Sequence, residues 1–217
     1  MVKYTKDVFW KAAVITVVIF LIGVYAGVAI EGSRLDQVGQ WYNELDFQLT
    51  NAKLQTQFYQ ILDEDFCDEA IEKNLAFSDE IYYQGRKIDE YEASNKLKEF
   101  IDSEKRRYAL LKTEFLVNSL ILKEKCNADY DILIYFYKDD PSLLEQQQQS
   151  VQANILLDLK EKYGTDLMLI PLPIDFDVSV ISILVDYHKI QSTPALVINQ
   201  KIKLEGLQGF DEIESLL

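Results

Sequence analysis

The sequence predicts an α/β fold in its C-terminal part, a mixed four-stranded sheet with flanking helices. Ahead of it the sequence predicts a transmembrane helix and a helical hairpin or bundle. Three observations carry this. Asp131–Tyr137 is an almost unbroken apolar run, rich in β-branched and aromatic residues, as a buried central strand requires. Strand and helix patterns alternate from there to Leu217. Near the other end, residues 12–30 carry no charged side chain. Three regions follow: an anchor over 1–31, with its helix at about 10–30, a helical module over 33–127, and the α/β domain over 130–217.

The anchor comes first. At about 1.5 Å per residue, residues 12–30 reach across about 30 Å of hydrocarbon. Phe9, Trp10 and Tyr25 stand where interfacial aromatics belong. Lys3, Lys6 and Lys11 precede the span, while Glu31, Arg34 and Asp36 follow it. That basic bias predicts a cytoplasmic N-terminus and an extracytoplasmic remainder, anchored in the cell membrane by contact with lipid. A cleaved signal peptide is the rival reading, with Gly27 and Ala29 as small residues for a peptidase, but its apolar core is usually shorter. Gly23 and Gly27 match the small-xxx-small spacing at which two membrane helices approach closely, which makes a homodimer a further expectation.

In the helical module, Leu35, Val38, Tyr42, Leu45, Leu49, Ala52, Thr56 and Tyr59 alternate spacings of three and four. This heptad seam fits a parallel coiled coil or a helix packed on its own neighbours. Two further helix patterns cover 66–83 (Phe66, Ala70, Ile71, Phe77, Ile81) and 94–124 (Leu97, Ile101, Tyr108, Leu111, Phe115, Leu122), with Gly85 in the break between them. An intramolecular bundle buries all three seams. If the second and third helices run antiparallel, Cys67 and Cys126 meet at their ends. Outside the cytoplasm they would then form a structural disulfide. Free buried thiols and a redox-active pair are the alternatives. Their wide separation and the acidic neighbours Asp65, Asp68 and Glu69 disfavour the latter.

The α/β domain reads β-α-β-α-β-β-α. After the first strand, Leu143, Leu144, Val151, Ile155, Leu159 and Tyr163 mark an amphipathic helix stopped by Gly164, with residues 145–149 as its polar face. A second strand covers 167–172 and a second helix Ser179–His188. A turn and third strand occupy 191–199, a fourth strand 202–204 and a last helix 210–217.

That order, together with the run from Ile190 through Ser192, Thr193 and Pro194 to Asn199 and the later Gly206, resembles the thioredoxin fold family. The resemblance covers Asp131 to Leu217. It implies a cis-proline loop at Thr193–Pro194, where the residue before the proline pairs through its backbone with an extended peptide. Ser192, Thr193, Pro194 and Tyr137 are therefore candidate peptide-binding residues. The family's Cys-x-x-Cys between first strand and first helix is missing: that place holds Lys138, Asp139, Asp140, Pro141 and Ser142. No catalytic residue is expected, and an enzyme only as the lesser reading.

Other chemistry is poorly supplied. A net charge of −14 argues against nucleic acid. The chain has one histidine, His188, expected at a helix end where the dipole favours a cation. Asp139 and Asp140 fit helix capping beside Pro141 better than metal binding, Asp175 and Asp177 fit a solvated turn, and Ser142 has no histidine nearby to activate it. No metal or cofactor is expected. The expected function is a membrane-anchored, redox-inactive, thioredoxin-like module that binds peptides or partner proteins. The alternatives are a thiol-disulfide oxidoreductase or electron relay using Cys67 and Cys126, and an assembly element working through the span and the seam.

Overall fold

The computed structural model describes the backbone of residues 4–93 and 98–217, and the side chains of 8–28, 42–90, 92 and 101–217. Lys3, Lys6, Ala29, Ile30, Glu31, Arg34, Leu35, Asp36, Val38, Ser94 and Leu97, all invoked above, lie outside the described residues or side chains. The chain divides into two units, Met1–Glu44 and Leu45–Leu217, with helix α1 (Tyr4–Ile61) running through the boundary.

In the first unit, Val8–Val28 is a 21-residue apolar stretch with none of its residues buried. By length and composition it is sufficient to cross a bilayer. The Thr16 hydroxyl donates to the Ala12 carbonyl at 2.9 Å, which satisfies it within the helix.

In the second unit, residues 45–61 of α1 pack with α2 (Cys67–Ala93) and α3 (Lys98–Lys125). Leu45, Leu49, Ala52 and Tyr59 of the heptad seam are buried there, the first three in a core with Phe77, Ile81, Leu111 and Phe115. These seam positions are filled from within the chain, and Tyr42 is exposed. The polar seam residue Thr56 stands 2.7 Å from Asn118 and 3.0 Å from Glu114, so a hydroxyl is accommodated between helices by hydrogen bonding. Helix α2 does not break at Gly85 but continues to Ala93. The glycine is there for space: a Cβ on it would stand 2.5 Å from the Tyr108 hydroxyl.

Strands β1 (Asp131–Tyr137), β2 (Leu167–Pro173), β3 (Ala195–Ile198) and β4 (Ile202–Glu205) form a mixed sheet in the order β2-β1-β3-β4. β1 and β2 are parallel, with Ile134 opposite Ile170. β1 and β3 are antiparallel, with Ile134 opposite Val197, and so are β3 and β4, with Leu196 opposite Leu204. β1 is central and its middle residues Ile132 to Phe136 are all buried, which explains its lack of polar alternation. Pro171 and Pro173 sit on β2, an edge strand, where a missing N–H is tolerated.

The period-two alternation divides the core. Ile132, Ile134, Phe136, Met168, Ile170 and Val197 face the helical bundle, while Leu133, Tyr135, Leu167, Leu196 and Ile198 face α4 (Leu143–Tyr163) and α6 (Phe210–Glu214). Helix α5 (Ser179–His188) packs on α3 through Val178, Ile181 and Ala109. Helix α4 departs from the expected face. Leu143, Leu144 and Val151 are exposed, whereas Gln149 and Gln152 are buried. The reason is backbone demand: Gln149 bonds both the N–H and the carbonyl of Lys138, at 2.8 and 3.0 Å, and Gln152 accepts from the Gln208 N–H at 2.8 Å.

Candidate functional site

The β1–α4 connection spans Lys138 to Ser142. It is held by its own polar contacts. The Asp175 carboxylate accepts the backbone N–H of Asp139 and that of Asp140, each at 2.9 Å. Asp175 is thus no idle turn residue. Nor do Asp139 and Asp140 cap α4: the N-cap is Ser142, in a reciprocal capping box with Glu145. Lys138 Nζ donates to Glu145 at 2.6 Å. That bond, helped by those from Ser142, pulls the Glu145 pKa down to about 2.

Asp139 instead faces α3. Lys105 Nζ bridges it, at 3.0 Å, to Glu92 of α2, at 2.7 Å. Burial works against the Lys105 charge, but its bonds to Glu92 and Asp139 outweigh that and its pKa rises.

Beside this bridge lies a cavity of about 350 Å³ at the C-terminal ends of β1 and β2. α2 contributes Tyr82, Gly85 and Asp89; α3 contributes Lys105, Tyr108 and Lys112; the sheet contributes Tyr137, Pro171 and Pro173, and Phe176 follows β2. Ligands commonly bind beyond the carboxyl ends of strands in α/β folds. Lys112 is only 3 % exposed. Its Nζ lies over the rings of Tyr108, 4.7 Å away, and Tyr137, 5.7 Å away. Burial pulls its pKa down to about 7, against the opposing pull of Asp139 and Asp89. Asp89 is itself raised, by burial and then by Glu92. Burial also raises the Tyr108 and Tyr137 hydroxyls.

Of the candidate peptide-binding residues, Tyr137 lines this cavity, while Ser192, Thr193 and Pro194 do not. They stand just before β3, whose Ala195 is paired with Phe136. The Thr193–Pro194 peptide is cis. The Pro194 carbonyl accepts from the Gly206 N–H at 2.8 Å, and Glu205 accepts from the Gln191 N–H at 2.6 Å. Ser192 is exposed, but Thr193 is buried and its hydroxyl has no partner.

Cys67 and Cys126 have their sulfurs at disulfide distance and their Cα atoms 5.4 Å apart. Cys126 packs with Tyr59, Leu62, Ala70 and Leu122, just ahead of β1. The Thr193–Pro194 loop flanks the other end of that strand, about 20 Å along at roughly 3.3 Å per residue. His188 stands in the last turn of α5, where burial disfavours the cation that the helix dipole would favour. Burial lowers its pKa, its ring stands against Tyr187 and Phe136, and its Nε2 is buried without a partner. Among the described residues no group of three or more His, Cys, Asp or Glu side chains is placed to hold a metal ion.

The Lys112 cavity escaped the sequence reading. Its signal was two lysines, Lys105 and Lys112, interrupting the seam Ile101, Tyr108, Phe115 at spacings of four and three.

Comparisons with known proteins return little. No family model matches, and no curated protein matches. Among solved structures, a malarial protein aligns with a TM-score of 0.33 and 16 % identity, covering 40 % of this chain and 92 % of that one. A chloroplastic thioredoxin z aligns with a TM-score of 0.34 and 14 % identity, covering 45 % of this chain and 84 % of that one.

Proposed function

We propose that this chain is a membrane-anchored, extracytoplasmic, thioredoxin-like module that binds peptides or partner proteins without exchanging electrons with them. The observation that carries the reading is the placement of sulfur. The β1–α4 connection holds none, and both cysteines stand together at the other end of β1. The β-α-β-α-β-β-α order and the four-stranded mixed sheet support the thioredoxin-like part. The apolar stretch Val8–Val28 supports the anchor. A cysteine pair at disulfide distance supports an oxidising compartment for the second unit.

The backbone around Thr193 is the contact surface in this reading. Neither the N–H nor the carbonyl of Thr193 has a hydrogen-bond partner among the described residues. Main-chain pairing with an extended peptide uses such groups.

Two measurements test the proposal on the full chain in detergent. Insulin reduction is expected to show no turnover above buffer, with the wild-type chain or with Cys67 and Cys126 both changed to serine; cysteine-dependent turnover refutes the redox-inactive reading. A photoreactive residue at Ser192 is expected to capture an extended peptide that one at the remote Asp158 does not. Equal capture from both positions removes the assigned contact surface.

A further inference from the structure

We propose that Lys112 is the reactive group of a small-molecule site, an amine that holds a small aldehyde with a flat, apolar body as an imine. The site is separate from the Thr193 surface and goes beyond the binding role given above.

The geometry comes first. Lys112 lies on α3 with its side chain buried beside a cavity large enough for a small organic molecule, about 350 Å³. Among the described residues that amine makes no hydrogen bond and no direct ion pair, and it lies over the faces of two tyrosine rings. Lys105, two helical turns away, is by contrast tied to two carboxylates. Lys112 is left to face the cavity.

Chemistry selects the ligand class. Burial withdraws the ammonium from water and favours its neutral form, against the cation–π attraction of the two tyrosine faces. Burial accordingly brings Lys112 down to about 7, so that near neutral pH a large share of it carries a lone pair. Lysines desolvated in this way serve as Schiff-base nucleophiles. The other charged and titratable groups around the cavity are Tyr82, Arg86, Asp89 and Glu92 from α2, Lys105 and Tyr108 from α3, Tyr137 from β1, and Asp139 beyond it. Arg86 and Lys105 are balanced there by Asp89, Glu92 and Asp139, so the lining offers no excess positive charge to a simple carboxylate or phosphate. A neutral carbonyl compound needs none. The walls of Tyr82, Tyr108, Tyr137, Pro173 and Phe176 suit a flat apolar body.

The step balances without any redox partner. The Lys112 nitrogen attacks the aldehyde carbon and forms the C–N bond. The nitrogen loses two protons, the carbonyl oxygen leaves with them as water, and a C=N bond remains. Asp89 lines the same cavity.

The experiment is reductive trapping on the full chain in detergent micelles, with benzaldehyde and cyanoborohydride, read by peptide mass mapping. In the folded protein at pH 7, Lys112 is expected to gain one benzyl group at least ~10-fold faster than the remaining lysines, because an ordinary lysine amine offers almost no lone pair at that pH. The preference is expected to saturate with benzaldehyde and to vanish in concentrated urea. Benzylation spread over other lysines with Lys112 unmodified overturns the proposal, as does a Lys112 rate that urea leaves unchanged. Lys112→Arg is expected to lose only the fast labelled site. Because wild-type mapping gives the decisive result, the test stands even if that variant folds poorly. Peptide capture at Ser192 has a separate readout, so either proposal can fail alone.

Discussion

The Tyr108 hydroxyl occupies the place where a side chain on Gly85 would begin: a Cβ there would lie 2.5 Å from the Tyr108 oxygen and 3.1 Å from its ring carbon Cζ. The two residues form one contact between α2 and α3 beside the cavity. Gly85→Ala should therefore destabilise despite its better helix propensity. The propensity gain is about 1 kcal/mol, and overpacking costs about 1–3 kcal/mol. Chemical denaturation should show a net loss, and Tyr108→Phe in the same chain should recover part of it. A more stable Gly85→Ala variant would mean that Tyr108 moves freely.

Lys112 makes stability depend on pH in a defined direction. Its folded pKa, about 7, lies below its ordinary value of 10.5. Between those values the unfolded chain binds more protons, so the Lys112 contribution rises as pH rises through that window. Below pH 7 the amine is charged in both states and its penalty is greatest. Lys112→Met should gain stability at pH 6 and lose the advantage towards pH 10. Parallel wild-type and variant pH curves would refute this.

Glu104 on α3 is fully buried, and neither carboxylate oxygen has a hydrogen bond. Arg107 stands 3.9 Å away, too far to offset burial, and the pKa is raised, with Asp46 adding to the rise. The sign opposes that of a paired carboxylate. The folded state holds the proton longer, so this contribution falls as pH rises from the ordinary value of 4.5 through the folded one. Glu104→Gln should stabilise by on the order of 1 kcal/mol at pH 7. The gain should disappear below pH 4. Thermal melts across that range check it.

The Cys67–Cys126 bridge spans a sequence separation of 59. Chain-entropy arithmetic for a loop of that size gives about 4 kcal/mol. Replacing both cysteines with serine should lower the denaturation midpoint accordingly, and dithiothreitol should do the same to the wild-type chain but not to the variant. An unchanged midpoint would show that the helical core holds these ends together unaided.

The strands were legible because each is apolar over a short, bounded run. β1 and α5 match their expected limits, and β2 and β4 extend one residue further. Gly164, with φ 53°, stops α4 where its pattern stopped. The misreadings come from residues whose partners are distant in the chain. Gly85 looks like a helix breaker until Tyr108 is beside it. Gln149 looks like part of a solvated face until the backbone of Lys138 needs partners. Asp175 looks like a turn residue until two amides point at it. The cavity was least visible, because its walls come from α2, α3, the β1–α4 connection and β2, and no local periodicity joins those stretches.

The prolines of β2 have a consequence for how the protein behaves in a crowd. The Ile174 N–H bonds to Tyr137, so the alternation along the strand turns positions 171 and 173 the other way, toward the outer margin. Proline at both places leaves that margin short of donors. A stray strand from an unfolding neighbour finds too few hydrogen bonds there to stack, and growth of a fibre from this side is blocked by covalent structure rather than by charge.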